Sequence, residues 1–180
     1  MGGFDTGART QPRAAQHQRA RLTVTLEESY TGASKGITLP DGRSLSVKVP
    51  KGVTSGQTIR LAEQGLRGGD LLLDVEIAPH PLFRLEGRDI NVNVQVSPWE
   101  AALGSRIEVP TLGGTVELKL AAGTQSGRKL RLKGRGLPGT PPGDQFATIQ
   151  IQTPPAKNDE DRAFYENMAK HFAGFDPRNA

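Results

Sequence analysis

Five basic side chains crowd eight residues of this chain: Arg128, Lys129, Arg131, Lys133 and Arg135. Guanidinium and ammonium groups so spaced are phosphate ligands, and would give sequence-tolerant contact with a nucleic-acid backbone that weakens steeply with salt. Arg131 and Lys133 alternate with Leu130 and Leu132, which in a strand sends both charges to the solvent face. A charged strand that merely solvates its surface has the same pattern. The run therefore names a chemistry without showing that it is used.

The other chemistry-bearing groups lead nowhere sharper. Gly134, Gly136 and Gly139 have the spacing of a dinucleotide-binding turn. That turn works only where a strand enters a helix N-terminus, and here Pro138, Pro141 and Pro142 follow instead. GTQSGRK (123–129) has glycines four apart rather than five, and Arg128 where a phosphate loop needs its Lys-Ser/Thr end. His17, His80 and His171 have no partner at ligand spacing, and there is no Cys. A metal site, a disulfide and a catalytic triad all lack material. The carboxylate pairs Glu27-Glu28 and Asp74/Glu76 read as solvent-facing strand residues. The expectation is a protein that is not an enzyme and holds no cofactor.

The elements that position these groups come in duplicate. VKVPKGVTSGQTIRLAEQGL (47–66) and LKLAAGTQSGRKLRLKGRGL (118–137) match at an offset of 71 in Gly52/Gly123, Ser55/Ser126, Gly56/Gly127, Arg60/Arg131, Leu61/Leu132, Gly65/Gly136 and Leu66/Leu137, among others. GDLLLDVEI (69–77) then matches GDQFATIQI (143–151). A unit of this size repeated once signals two small tandem domains of one fold. Strand alternation begins at Leu22 with Val24 and Leu26, and recurs at Leu45–Val49, Leu71–Ile77 and 90–96. Asp41-Gly42 supplies one hairpin turn and Leu112–Thr115 the other. SPWEAALG (97–104) answers EESYTG (27–32) with two residues of slippage, each as a short helical turn. The predicted fold is mostly β: two tandem β-sandwich domains over 21–88 and 89–155, each with a short helix. Residues 1–20 read as a flexible linker.

Beyond the Pro-rich TPPAKN (153–158) the period changes. Phe164, Tyr165, Met168 and Phe172 share one helical face, with Asn158 or Asp159 as N-cap and Gly174 and Pro177 as the stop. This stripe over 156–180 either docks on its own sandwich or packs against another copy as a dimerisation helix. The net charge of +4 is concentrated in residues 1–21, where four arginines face Asp5 alone, so the rest is nearly balanced at +1. No 18-residue apolar stretch exists to span a membrane, and no apolar leader follows the first residues. A cytoplasmic location is expected, with nucleoid association on the DNA-binding alternative.

Three stretches carry a family resemblance: LPDGRSLSVKVPKGVTSGQTIRLAEQGL, GGDLLLDVEIAPHPLFRLEGRDI and VQVSPWEAALGSRIEVPTLGG. Together they resemble the C-terminal substrate-binding and dimerisation region of the DnaJ family of co-chaperones, over about residues 20–175. ASKGIT (33–38) runs without Cys where that family's zinc module would sit, which resembles the zinc-free, curved-DNA-binding-protein type. No His-Pro-Asp occurs, and MGGFDTG resembles the end of the linker that follows a J-domain. The resemblance thus implies a fragment, unable by itself to stimulate ATP hydrolysis by a DnaK-type chaperone. It implies a peptide-binding groove on the first domain at Leu22, Ile37, Leu39 and Phe83. It implies that Lys35 at the rim meets the acidic tail of a DnaK-type partner, and that unfolded polypeptides are the clients. Homodimers are expected through the terminal helix, with DNA as the alternative partner.

Overall fold

The computed structural model describes residues 16–180, so the linker expected over 1–20 lies, as far as residue 15, outside the described residues. Contacts divide the chain into two units. One holds the described residues through Val92 with Pro110–Gly114 and Arg131–Ala147; the other holds Asn93–Val109, Thr115–Leu130 and Thr148–Ala180.

In the first unit, β1 (Gln18–Val24) runs parallel to β5 (Leu71–Ile77), and β4 (Thr58–Leu61) pairs antiparallel on its other side. The helix α1 (Leu26–Thr31) leads into the antiparallel hairpin β2 (Ala33–Thr38) and β3 (Ser44–Val49). Period-2 alternation places Leu22 and Val24, Val47 and Val49, and Leu71 and Leu73 in one core. β1 opens at Gln18, four residues before the apolar alternation. Arg19 and Arg21 hold that polar start through Asp74 (3.9 Å) and Glu76 (3.3 Å) on β5. β6 (Phe83–Glu86) follows and pairs with β7 (Asp89–Val96).

The second series of elements repeats the first. α2 spans Pro98–Leu103, β8 Ser105–Thr111, β9 Gly114–Leu120, β10 Lys129–Leu132 and β11 Gln145–Ile151. Their sheets run in the orders β10-β11-β7-β6 and β8-β9. The Asp41-Gly42 and Leu112-Gly113 turns fall where expected, with Gly42 (φ 84°) and Gly114 (φ 110°) in conformations that suit glycine.

The duplication is written into hydrogen bonds. Asp70 accepts from Arg60 Nε (2.7 Å) and the Glu63 N–H (3.2 Å); Asp144 accepts from Arg131 Nε (2.7 Å) and the Gly134 N–H (2.7 Å). Ser55 Oγ receives the Ile77 N–H as Ser126 Oγ receives that of Ile151, both at 2.8 Å. Thr25 and Ser97 head α1 and α2 with the same capping box, closed by Glu28 and Glu100. The expected two-residue slippage is therefore absent: Thr25–Gly32 maps onto Ser97–Gly104 at a constant 72. The cap hydroxyl, not the run of glutamates, sets where each helix begins. Glu27 and Glu28 accordingly lie in the first turn of α1 and not in a strand.

α3 (Asp159–His171) is capped by Asn158 and has no buried residue. Phe164 is 70% and Met168 43% exposed, and Phe172, just past the helix end, is exposed as well. Tyr165 is half-buried, its hydroxyl donating to the Pro154 carbonyl. No helix among the described residues is long and apolar enough to cross a membrane.

Candidate functional site

Among the described residues, β2 bonds to β3 on one side and to no strand on the other. The hairpin fixes which residues face that free edge. The Leu39 N–H donates to the Arg43 carbonyl (2.8 Å), and the Gly42 N–H to Leu39 (2.9 Å). In an antiparallel ladder such pairs alternate, so Ile37, Lys35 and Ala33 direct their backbone groups toward β3. Ser34, Gly36 and Thr38 direct theirs outward. All three are exposed, and a Cβ added at Gly36 would meet nothing within 4 Å.

The second copy presents a different edge at the same register. Ser34, Gly36 and Thr38 are replaced, 72 residues on, by Arg106, Glu108 and Pro110. Pro110 has no N–H to offer, and its carbonyl already accepts from Gln145 Nε2 (2.7 Å). Charges and proline are the usual devices that blunt an open strand. β8 carries both at its outward positions, whereas Ser34, Gly36 and Thr38 of β2 carry neither, and the charge on β2, Lys35, lies on the other face.

The side chains expected to form the groove lie mostly inside the protein. Leu22 (2% exposed) and Leu39 (5%) belong to the first core, and half-buried Ile37 packs against it. Phe83 (8%) stands apart on β6, under the His80 ring at 4.9 Å between centroids. The structure thus brings Leu22, Ile37 and Leu39 together and does not place Phe83 in their cluster. Lys35 shares the inward face of β2 with Ile37, yet its Nζ emerges to bond the Thr23 carbonyl (2.7 Å) and Glu28 Oε2 (3.1 Å). The Thr25 N–H and then Lys35 hold the Glu28 carboxyl below its ordinary value. The same Oε2 of Glu28 accepts both the Thr25 N–H (2.8 Å) and Lys35 Nζ.

The sequence left His80 without a partner and read Glu27 as a solvent-facing strand residue, whereas the structure brings the two together. The His80 Nε2 lies 2.7 Å from Glu27 Oε1, and its Nδ1 accepts the N–H groups of Leu82 (3.0 Å) and Phe83 (3.1 Å). Glu27 is held below its ordinary value by a backbone hydrogen bond, with His80 adding to it. The partners are 53 residues apart, so only the Pro-flanked His beside an aromatic residue hinted at the contact.

Arg128, Lys129, Arg131, Lys133 and Arg135 are all exposed, on β10 and its flanks, while Leu130 and Leu132 turn inward. Asp144 holds Arg131 at 2.5 Å, and in turn the Gly134 N–H and Arg131 keep the Asp144 carboxyl low. Arg60 and Asp70 make the same pair at 2.6 Å in the first copy. Arg131 therefore belongs to the shared frame of the duplication. Arg128, Lys129, Lys133 and Arg135 are what the second copy adds.

A family model described as the DnaJ C terminal domain matches residues 18–154. A curved DNA-binding protein of Coxiella burnetii (strain RSA 493 / Nine Mile phase I) is 48% identical over 182 residues, covering 91% of this chain and 58% of the relative. Chaperone protein DnaJ 2 of Synechocystis sp. (strain ATCC 27184 / PCC 6803 / Kazusa) is 43% identical over 173 residues, covering 95% and 55%. A curved DNA-binding protein of Escherichia coli (strain SE11) is 39% identical over 192 residues, covering 95% and 63%. The chain thus spans less than two thirds of the length of each of these relatives.

Proposed function

The chain belongs to the DnaJ C-terminal domain family, and on that premise we propose that it holds non-native polypeptides in extended form at the free edge of β2. The observation that carries this is the contrast between two edges of one fold: Ser34, Gly36 and Thr38 stand open where Arg106, Glu108 and Pro110 are guarded. An incoming strand takes its main-chain hydrogen bonds from that edge and lays alternate side chains on the margin of the Leu22, Ile37 and Leu39 core. Phe83 is assigned to the same groove by the family resemblance. The domains are proposed as 21–88 for peptide binding, 89–155 as the second sandwich and 156–180 for dimerisation.

Two or three apolar side chains at about 1.5–3 kcal/mol each give affinities of roughly micromolar order. Firm retention of a client then calls for two grooves joined in one particle. The exposed Phe164, Met168 and Phe172 at α3 suit a helix that joins two copies. Lys35 is proposed as the contact for the acidic tail of a DnaK-type chaperone, whose carboxylate would replace Glu28 as its partner. The test is a titration of the chain with a short apolar peptide, followed by amide shifts. Shifts at Ser34, Gly36 and Thr38 are expected, and their absence at saturation defeats the proposal.

A second reading rests on the basic run and on relatives named for binding curved DNA. Arg128, Lys129, Lys133 and Arg135 would contact phosphates without reading bases. A duplex titration at two salt concentrations decides it. A steep loss of affinity with salt supports it, and a flat response or no binding at low salt removes it.

A further inference from the structure

Both charged ties beside the proposed groove run to one helix. α1 offers consecutive glutamates: Glu28 engages Lys35 of β2, and Glu27 engages His80. Two amide donors converge on His80 Nδ1, so that nitrogen carries a lone pair and the ring proton lies on Nε2, aimed at Glu27. This arrangement fixes the sense of the chain that follows. Phe83 turns inward beneath the ring, whereas Leu82 points out at 59% exposure.

The second copy shows that the fold does not require these ties. α2 has the same length and the same capping box. Yet Trp99 stands at the place of Glu27, Ile107 at that of Lys35, and Pro154 at that of His80. A feature absent from the sister domain is free to serve function.

Resting on the groove reading above, we infer that His80 is a positioning residue for peptide binding: by bridging Glu27 and the amides of Leu82 and Phe83, it makes Phe83, and not Leu82, the inward side chain of this segment. The ligand it serves is an extended apolar peptide. Loss of the Nδ1 acceptor releases two amide hydrogen bonds and lets the segment turn, while the core of Leu22 and Leu39 stays in place.

Two measurements on the whole 180-residue chain test this. Long-range proton–nitrogen correlation of His80 is expected to show the Nε2–H tautomer; an Nδ1–H signal overturns the inference whether or not peptide binds. A labelled short apolar peptide is then titrated into His80→Asn, which keeps an acceptor near Nδ1, and into His80→Gln, which reaches only toward Glu27. Two lost main-chain bonds should weaken binding to His80→Gln by about fivefold or more, with His80→Asn within about twofold of the parent. Equal affinities for both variants, retained or lost together, overturn it. If the parent chain itself binds no peptide, the groove reading fails, and the tautomer still decides the latch.

Discussion

Substituting Thr38 by proline transplants the guard of the second copy onto the first. Thr38 ends β2, is exposed, and directs its N–H away from β3. The fold already accepts proline at the matching position of β8, Pro110, so the hairpin should survive. The variant withdraws one donor that only an incoming strand can use, worth about 0.5–1.5 kcal/mol. The ring also stands where the added strand must approach, which pushes the loss toward about tenfold or more, since each tenfold is about 1.4 kcal/mol. Calorimetric titration with a short apolar peptide measures it, and a thermal melt confirms that the variant is folded. A folded Thr38→Pro chain with the parent's isotherm would show that peptide does not use this edge.

Removing residues 159–180 should give monomers that still bind short peptides but no longer suppress aggregation; unchanged dimer mass in sedimentation counts against α3 as the joint. Ile37→Ser should weaken peptide binding by about tenfold by removing the half-buried margin of the core. Phe83→Ser should cost fold stability as well as affinity, because Phe83 is buried, and a melt unchanged from the parent would contradict that. The Glu28 carboxyl is held low by the Thr25 N–H and then by Lys35. A depressed folded value means stabilisation present above the ordinary value of 4.5 and lost as pH falls through the folded one. Glu28→Gln should therefore melt below the parent at pH 7, with the gap closing as the solution is acidified. A gap that persists at the lowest pH refutes the assignment.

Much of the fold was legible because the duplication repeats its own signals. Most period-2 runs, the Asp41-Gly42 turn and the Asn158 cap appear where local chemistry places them, but Leu26, expected to end the first strand, opens α1 instead. The start of β1 was not legible, since Gln18–Arg21 earns its place through ion pairs to a strand more than fifty residues away. The slip between the two helices was misjudged for a related reason: glutamates drew the eye, while the cap hydroxyls fix the register. At the site, the family resemblance pointed to Leu22 and Leu39 but not to their burial, because one strand alternation serves a core and a groove alike. The open edge of β2 depends on hydrogen-bond parity, which needs the hairpin geometry. The His80–Glu27 contact depends on chain return across 53 residues.

Amide hydrogen exchange of Ser34, Gly36 and Thr38, with and without a saturating apolar peptide, tests strand addition most directly. These N–H groups face the free edge of β2 and should exchange readily in the free chain. Peptide is expected to slow all three while leaving Arg106 and Glu108 on the guarded edge unchanged. Unaltered exchange at Ser34, Gly36 and Thr38 under saturation, or protection that appears instead along β8, would contradict the account.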